Sequence, residues 1–247
     1  MATKVILVGV GGATCSGKTT LAKHLRNIIP DSIIIHQDPQ EHIPNHPIYN
    51  VQDWDAPAGA IDWDRLVAFL RDVKRTGVIP DDHYSHDYLN EQYLVPPSDE
   101  AQDRWHSKFA TLKAQRESSG QERVIFALVD GFLLYWHPDV RAQLDVQLLL
   151  RVPEDVLRQR RHERDGYHTA AGTLWRDPPH YWEQIVWPAY VEAHKHLFAG
   201  GDVKRGALLD DSILVLQPLE MSMDETVSRA ADAILKFAAF DQQRKQQ

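Results

Sequence analysis

Val5-Ile-Leu-Val-Gly-Val10-Gly-Gly12-Ala13-Thr14-Cys15-Ser16-Gly17-Lys18-Thr19-Thr20 is the stretch that decides the fold. Lys4 to Val10 is β-branched and apolar on both sides of the alternation, which predicts a strand buried on both faces. Gly12 to Thr19 then reads G-x-x-x-x-G-K-[ST], a pattern that average residue usage produces in roughly one chain in a hundred of this length. Thr19 to Ile29 follows as a helix with Leu21, Ala22, Leu25 and Ile28/Ile29 on one face, and Pro30 stops it. A glycine-rich turn without a ligand is the plain alternative, but strand, turn and helix in this order form a phosphate cradle. The glycines let successive backbone N–H groups turn inward, and the helix N-terminus adds positive potential. Gly12, Ala13, Thr14, Cys15, Ser16, Gly17, Lys18, Thr19 and Thr20 are therefore the expected ATP contacts. Lys18 is expected to reach the β- and γ-phosphates, and the Thr19 hydroxyl to ligate Mg²⁺.

Working outward, Ser32–His36 reads as a strand and Asp62–Thr76 as an amphipathic helix ended by Gly77. Val124–Val129 is a strand closing on Asp130, and Val146–Val152 is another. Glu154–Arg164 is a helix, Trp182–Phe198 a helix interrupted near Pro188, Ile213–Leu216 a strand and Asp224–Phe240 the closing helix. Strands that alternate with helices predict an α/β chain of the P-loop NTPase fold, a parallel sheet flanked by helices, built as one domain over 1–247. Two stretches exceed a minimal repeat. Residues 78–121 hold Pro80, Pro96, Pro97 and a helix from about Ser98 to Ser118 with Trp105, Phe109 and Leu112 on one face; they read as an insertion. Residues of about 160–181 are rich in Gly, Pro and aromatics and read as a mobile lid.

Composition narrows the function. Among 247 residues, 27 Lys and Arg against 35 Asp and Glu leave a net charge of −8, which argues against gripping nucleic acid. The single cysteine, Cys15, excludes an internal disulfide and a multi-cysteine zinc site. The one apolar N-terminal run, Val5–Val10, is too short for a signal segment, and nothing approaches the roughly 18 apolar residues of a membrane span. The expectation is a chain of a reducing, intracellular compartment, cytoplasmic or nuclear, with no membrane partner. His83-x-x-His86 and His194-x-His196 lack further ligands at zinc spacing.

Several residues point to phosphoryl transfer. Asp130 ends an apolar strand, where such folds keep the acid on the Mg²⁺ side; a turn Asp is the other reading. Asp38, after His36-Gln37, stands where a carboxylate would accept a hydroxyl proton. In Asp53-Trp54-Asp55, carboxylate beside indole suits a sugar-and-ring clamp, or else a cap for the helix that follows. Arg158, Arg160, Arg161 and Arg164 crowd positive charge into a short helical stretch, which calls for anions unless the face is simply solvated. Cys15 is either a small residue at a tolerant position or a thiol activated by the helix N-terminus. No N-K-x-D guanine reader is present, and a compact chain with an Arg-rich helix and a lid suits a small-molecule kinase better than a GTPase or a motor.

These residues carry a resemblance. The chain resembles the nicotinamide riboside kinases of the fungal kind, within the uridine kinase-like group of P-loop kinases, over roughly residues 4–200. The similarity lies in Val5–Val8 and the loop, Ile35-His36-Gln37-Asp38, Tyr49-Asn-Val-Gln-Asp53-Trp54-Asp55, Val129-Asp130-Gly131-Phe132, Arg160-Arg161-x-x-Arg164-x-Gly166-Tyr167, and Trp175-x-Asp177-Pro178-Pro179-x-Tyr181. It implies ATP and Mg²⁺ as cofactors and a nucleoside as the small-molecule substrate. It implies Asp38 and Lys18 in catalysis, with Asp38 the general base and also near the metal with Thr19 and Asp130. It implies Arg160 and Arg164 on ATP phosphates, and Trp54, Asp55, Arg161, Tyr167 and His168 on the substrate. Pro39-Gln40-Glu41 depart from the second acid and aromatics that the family carries there. A uridine/cytidine or pantothenate-type kinase is the nearest alternative, and a nucleotide-binding regulatory protein without catalysis is the alternative of another class.

Overall fold

The computed structural model describes residues 3–37, 43–80, 93, 95–164, 166–168 and 173–244. Strand β1 (Thr3–Gly12) leads into α1 (Lys18–Ile28), followed by β2 (Ser32–His36), α2 (Trp63–Thr76), α3 (Asp99–Ser118) and β3 (Arg123–Gly131). Then come a short α4 (Pro138–Arg141), β4 (Val146–Leu150), α5 (Glu154–Glu163), the small strands β5 (Tyr167–His168) and β6 (Leu174–Trp175), α6 (Trp187–His194), β7 (Ile213–Leu216) and α7 (Met223–Arg244). Five strands form one sheet in the order β2-β3-β1-β4-β7, every neighbouring pair parallel. β5 and β6 pair antiparallel on their own.

The apolar run of β1 behaves as its composition dictates. Successive side chains point to opposite faces, so Val5 and Leu7 enter one core layer while Ile6, Val8 and Val10 enter the other. α2 and the helical stretch after residue 181 cover the first face; α1, α3 and α7 cover the second. The helix that the sequence placed inside an insertion is thus a wall of the fold. Trp105, Phe109 and Leu112 of α3 are buried there, and Phe109 meets Phe126 of β3 edge-on. Each such side chain contributes about 1.5–3 kcal/mol by leaving water.

Local signals set the helix ends. Asp62 accepts from Arg65 N–H (3.0 Å) and Ser98 from Ala101 N–H (3.2 Å), each satisfying a donor that the first turn leaves open. Gly77, at φ 71°, closes α2 in the left-handed conformation. The helical run is divided near Pro188: a wider π-helical turn at Trp182–Val186 gives way to α6, whose first turn holds Pro188, where its missing N–H is harmless. Inside the sheet, the Tyr135 hydroxyl donates to Leu148 O (2.6 Å), and its ring lies where a Cβ on Gly11 would come within 2.4 Å. Gly11 is therefore required by close approach, and it keeps the path from β1 into the loop straight. Among the described residues no helix is long and apolar enough to cross a membrane.

Candidate active site

An open parallel sheet gathers the carboxyl ends of its strands along one edge, and ligands bind in the crevice there. β1 delivers the glycine-rich loop, β2 delivers His36 and Gln37, and β3 delivers Asp130. Register makes this strict: Val10 pairs with Asp130, Gly11 with Gly131, and His36 with Asp130. The loop turns as its glycines predict. Gly17 caps α1 at φ 92° with nothing within 4 Å of where a Cβ would stand, so the mouth of the loop is open space. At Gly12 a Cβ would strike Ser16 Oγ at 2.7 Å. Cys15 adopts φ 61°, a left-handed conformation unusual for a residue with a side chain. Its thiol is partly exposed and lies 3.7 Å from Thr14 Oγ1.

Thr19 Oγ1 donates to Asp130 Oδ2 (2.6 Å), and His36 Nδ1 lies 3.1 Å from the same oxygen. Asp130 is buried, and among the described residues its other oxygen, Oδ1, has no hydrogen-bond partner. Burial pushes its carboxyl up, but the His36 hydrogen bond, the Lys18 charge and the Thr19 hydroxyl together hold it below the usual carboxylate range. An ionised acid with an unpaired oxygen beside a hydroxyl, at the mouth of a phosphate loop, is a set of hard oxygen donors that suits Mg²⁺, which takes few protein ligands and completes its shell with water and phosphate. His36 was not singled out for a role in the sequence. Gln37 was also missed. It is buried, its backbone N–H donates to Asp130 O (2.7 Å), and its side-chain oxygen accepts from Leu133 N–H (2.9 Å). Asp38, the expected base, lies outside the described residues, as do Pro39-Gln40-Glu41, His83 and His86.

Across the crevice lies the Asp53-Trp54-Asp55 turn. The phenol of Tyr181 holds it from below by donating to Gln52 O (2.7 Å) and accepting from Trp54 N–H (3.1 Å). Asp53 Oδ1 accepts from Asp55 N–H (3.2 Å). Neither Trp54 nor Asp55 caps the next helix, because Asp62 does that itself. Trp54 is a core residue whose indole packs tilted against Trp175 at 5.7 Å between centroids. Asp55 is buried, and burial pushes its carboxyl up to about 6. The Asp177 and Asp53 charges add to that push, and Arg161 and Lys18 oppose it.

The arginines of α5 separate into two kinds. Arg161, expected on the substrate side, is buried and forked onto Asp177 through Nε (2.6 Å) and Nη2 (3.0 Å), with Asp55 Oδ2 at 3.6 Å. Arg158 pairs with Glu183. The anions that this crowd of charge demands are thus partly the protein's own. Arg160 instead reaches the phosphate loop, donating from Nη1 to Cys15 O (3.2 Å). A cavity of about 230 Å³ opens between Thr14 of the loop and Arg161, Arg164, Gly166, Arg176 and Asp177. Arg176, which lines it, carried no signal in the sequence beyond its place in the lid stretch. Gly166 at φ 97° is required there, since a Cβ would fall 2.4 Å from Trp175 O. His168 lies on β5, half-buried, and Tyr167 is its neighbour on that strand.

No protein-family model matches the chain. Individual relatives do. The nicotinamide riboside kinase of Schizosaccharomyces pombe is 36% identical over 237 residues, covering 95% of this chain and 98% of that protein. The nicotinamide riboside kinase of Saccharomyces cerevisiae is 32% identical over 211 residues, covering 84% of each chain. That of Eremothecium gossypii is 28% identical over 242 residues, covering 93% of this chain and 92% of its own.

Proposed function

This chain belongs to the nicotinamide riboside kinase family, and we propose that it transfers the γ-phosphoryl group of ATP to the 5′-hydroxyl of nicotinamide riboside, giving nicotinamide mononucleotide and ADP. The observation that carries this reading is the extent of the kinship, 36% identity over 95% of this chain and 98% of the relative. In the transfer the bond from O5′ to Pγ forms as the bond from Pγ to the β,γ-bridging oxygen breaks. The hydroxyl proton passes to the carboxylate of Asp38, the general base. Residues Gly12 to Thr20 receive the phosphates through backbone N–H groups and Lys18. Arg160 and Arg164 of the lid face the same phosphates, and Arg176 joins them from the cavity wall. Thr19 and Asp130, with Asp38, would hold Mg²⁺, which when bound neutralises charge on the β- and γ-phosphate oxygens.

The substrate's ring is a pyridinium and carries a fixed positive charge. Three carboxylates, Asp53, Asp55 and Asp177, lie around the Trp54 turn, opposed by Arg161 and by the Lys18 charge on Asp55. That excess of negative charge favours a cationic nucleoside over neutral uridine. Trp54 supplies an aromatic wall, Asp55 an acceptor for ribose hydroxyls, and Tyr167 and His168 the lid side. The reaction makes a precursor of pyridine dinucleotides, and the single cysteine fits a reducing, cytoplasmic setting.

Incubation with Mg·ATP and a panel of nucleosides tests the reading by product detection. Turnover of nicotinamide riboside above that of uridine is expected; uridine turnover with none of nicotinamide riboside overturns it. Asp38→Asn should keep Mg·ATP binding and lower kcat by at least about 10²-fold.

A further inference from the structure

Arg161 stands between two acids and serves them unequally. Asp177 takes it through two parallel hydrogen bonds, Nε to Oδ2 at 2.6 Å and Nη2 to Oδ1 at 3.0 Å. The Trp175 indole N–H donates to Asp177 Oδ1 as well (2.9 Å), which fixes the plane of that carboxylate against the guanidinium. Asp55 receives only a charge contact from Arg161, at 3.6 Å. Its Oδ2 is buried and, among the described residues, accepts no hydrogen bond. An unpaired oxygen on a buried carboxylate is unfavourable, and a guanidinium less than an ångström too far away is the obvious donor. The Asp55 turn cannot close that gap, because Tyr181 ties Gln52 and Trp54 in place. Arg161 does not close it either, because bidentate pairing to a carboxylate is the stronger arrangement.

We propose that Asp177 is a positioning residue that holds Arg161 away from Asp55, so that Asp55 Oδ2 keeps no internal donor and is left to accept from a hydroxyl of the nucleoside. The proposal rests on the reading of Asp55 as the nucleoside's carboxylate. Without the Asp177 charge, Asp55 is the acid among the described residues that already stands within 3.6 Å of Arg161 and that it can fork onto. A small rotation of the guanidinium then satisfies Oδ2 internally, and the nucleoside has to displace that salt bridge in order to bind. The effect falls on nucleoside affinity and not on the phosphate side, where Arg160, Arg164 and Lys18 act independently of Asp177.

Steady-state kinetics of the full chain with nicotinamide riboside and Mg·ATP test this. Asp177→Asn keeps the shape and an acceptor for the Trp175 indole while removing the charge. It should raise KM for the nucleoside at least about tenfold, and leave kcat and KM for ATP within about twofold. Asp177→Glu should restore KM to within about threefold. Trp175→Phe, which withdraws one donor from Asp177 and leaves its charge, should move the nucleoside KM about threefold in the same direction; it carries the test if the Asn variant does not fold. Asp55→Asn separates the two readings. If it raises the nucleoside KM while Asp177→Asn and Trp175→Phe do not, the positioning role is overturned and the assignment of Asp55 survives. If Asp55→Asn leaves the nucleoside KM unchanged, the assignment falls and the positioning role falls with it. A uniform loss in kcat and both KM values, with a lowered unfolding midpoint, would make Asp177 a structural residue and overturn the proposal.

Discussion

The Thr19 hydroxyl meets Asp130 Oδ2 at 2.6 Å, joining two residues 111 positions apart at the mouth of the phosphate loop. The contact uses one oxygen of the carboxylate and leaves the other buried and unpaired. Asp130→Asn keeps an oxygen for Thr19 but loses the charge. It should raise the half-saturating Mg²⁺ concentration at least about tenfold, read by titrating Mg²⁺ at fixed ATP. An unchanged Mg²⁺ requirement would remove Asp130 from the metal site.

Asp55 gives a pH dependence with two opposite signs. Its folded carboxyl titrates near 6, and the anion accepts from the nucleoside, so the nucleoside KM should rise as pH falls through about 6. Stability runs the other way. The folded state holds this proton more tightly than the unfolded chain between the ordinary value of 3.8 and about 6. The group's contribution to stability therefore falls as pH rises through that window. Asp55→Asn should remove the KM limb near pH 6, as seen in a pH series with saturating ATP. Persistence of the limb assigns it to another group.

Charge around the Trp54 turn should set substrate preference. Asp53→Asn keeps an oxygen for Asp55 N–H and removes one of three negative charges. At the effective dielectric of a protein surface, a charge several ångströms away changes binding by about 1 kcal/mol. The ratio of kcat/KM for nicotinamide riboside over uridine should then drop by about fivefold. An unchanged ratio would mean that selectivity comes from shape alone.

His194 should govern acid stability. It is fully buried, its Nδ1 lies 2.9 Å from Tyr190 O, and burial pushes its imidazole down to about 4. The unfolded chain binds this proton from about pH 6.5 downward, so stability present above that pH is lost as pH falls towards 4, up to about 3 kcal/mol. His194→Gln should flatten the urea-unfolding midpoint across pH 4 to 6.5. A midpoint that still falls by the same amount would point to other groups.

What the sequence revealed was local in kind. The phosphate loop, the strand ending at Asp130 and the amphipathic helix ended by Gly77 are set by residues within a few positions of one another. Their geometry follows from backbone rules that hold in any context. What it concealed was pairing. Arg161 and Asp177 are 16 positions apart, and Tyr181 holds Trp54 from 127 positions away. No periodicity signals either contact, so the Arg-rich helix reads as open to ligand although two of its cations, Arg158 and Arg161, are already taken. The α3 face was legible from the spacing of Trp105, Phe109 and Leu112, but its place was not: a helix beyond the minimal repeat looks like an insertion until Phe126 is found behind it. Gln37 sits in a motif whose neighbouring acid drew the attention, and its two contacts arise only when β2 and β3 lie side by side.

The strand order has a consequence for how the chain comes into being. β1 is made first and lies at the centre, yet its partners are β3 at 123–131 and β4 at 146–150. At about 5–20 residues per second, a nascent chain carries Val5 to Val10 for roughly 6 to 24 seconds before the first flanking strand emerges. An apolar strand with both edges unpaired is a ready template for other chains. Pairings this distant in sequence also form slowly. The strand that leads into the phosphate loop is therefore the one most in need of shelter during synthesis, and chaperone demand should follow the exposure of those six residues.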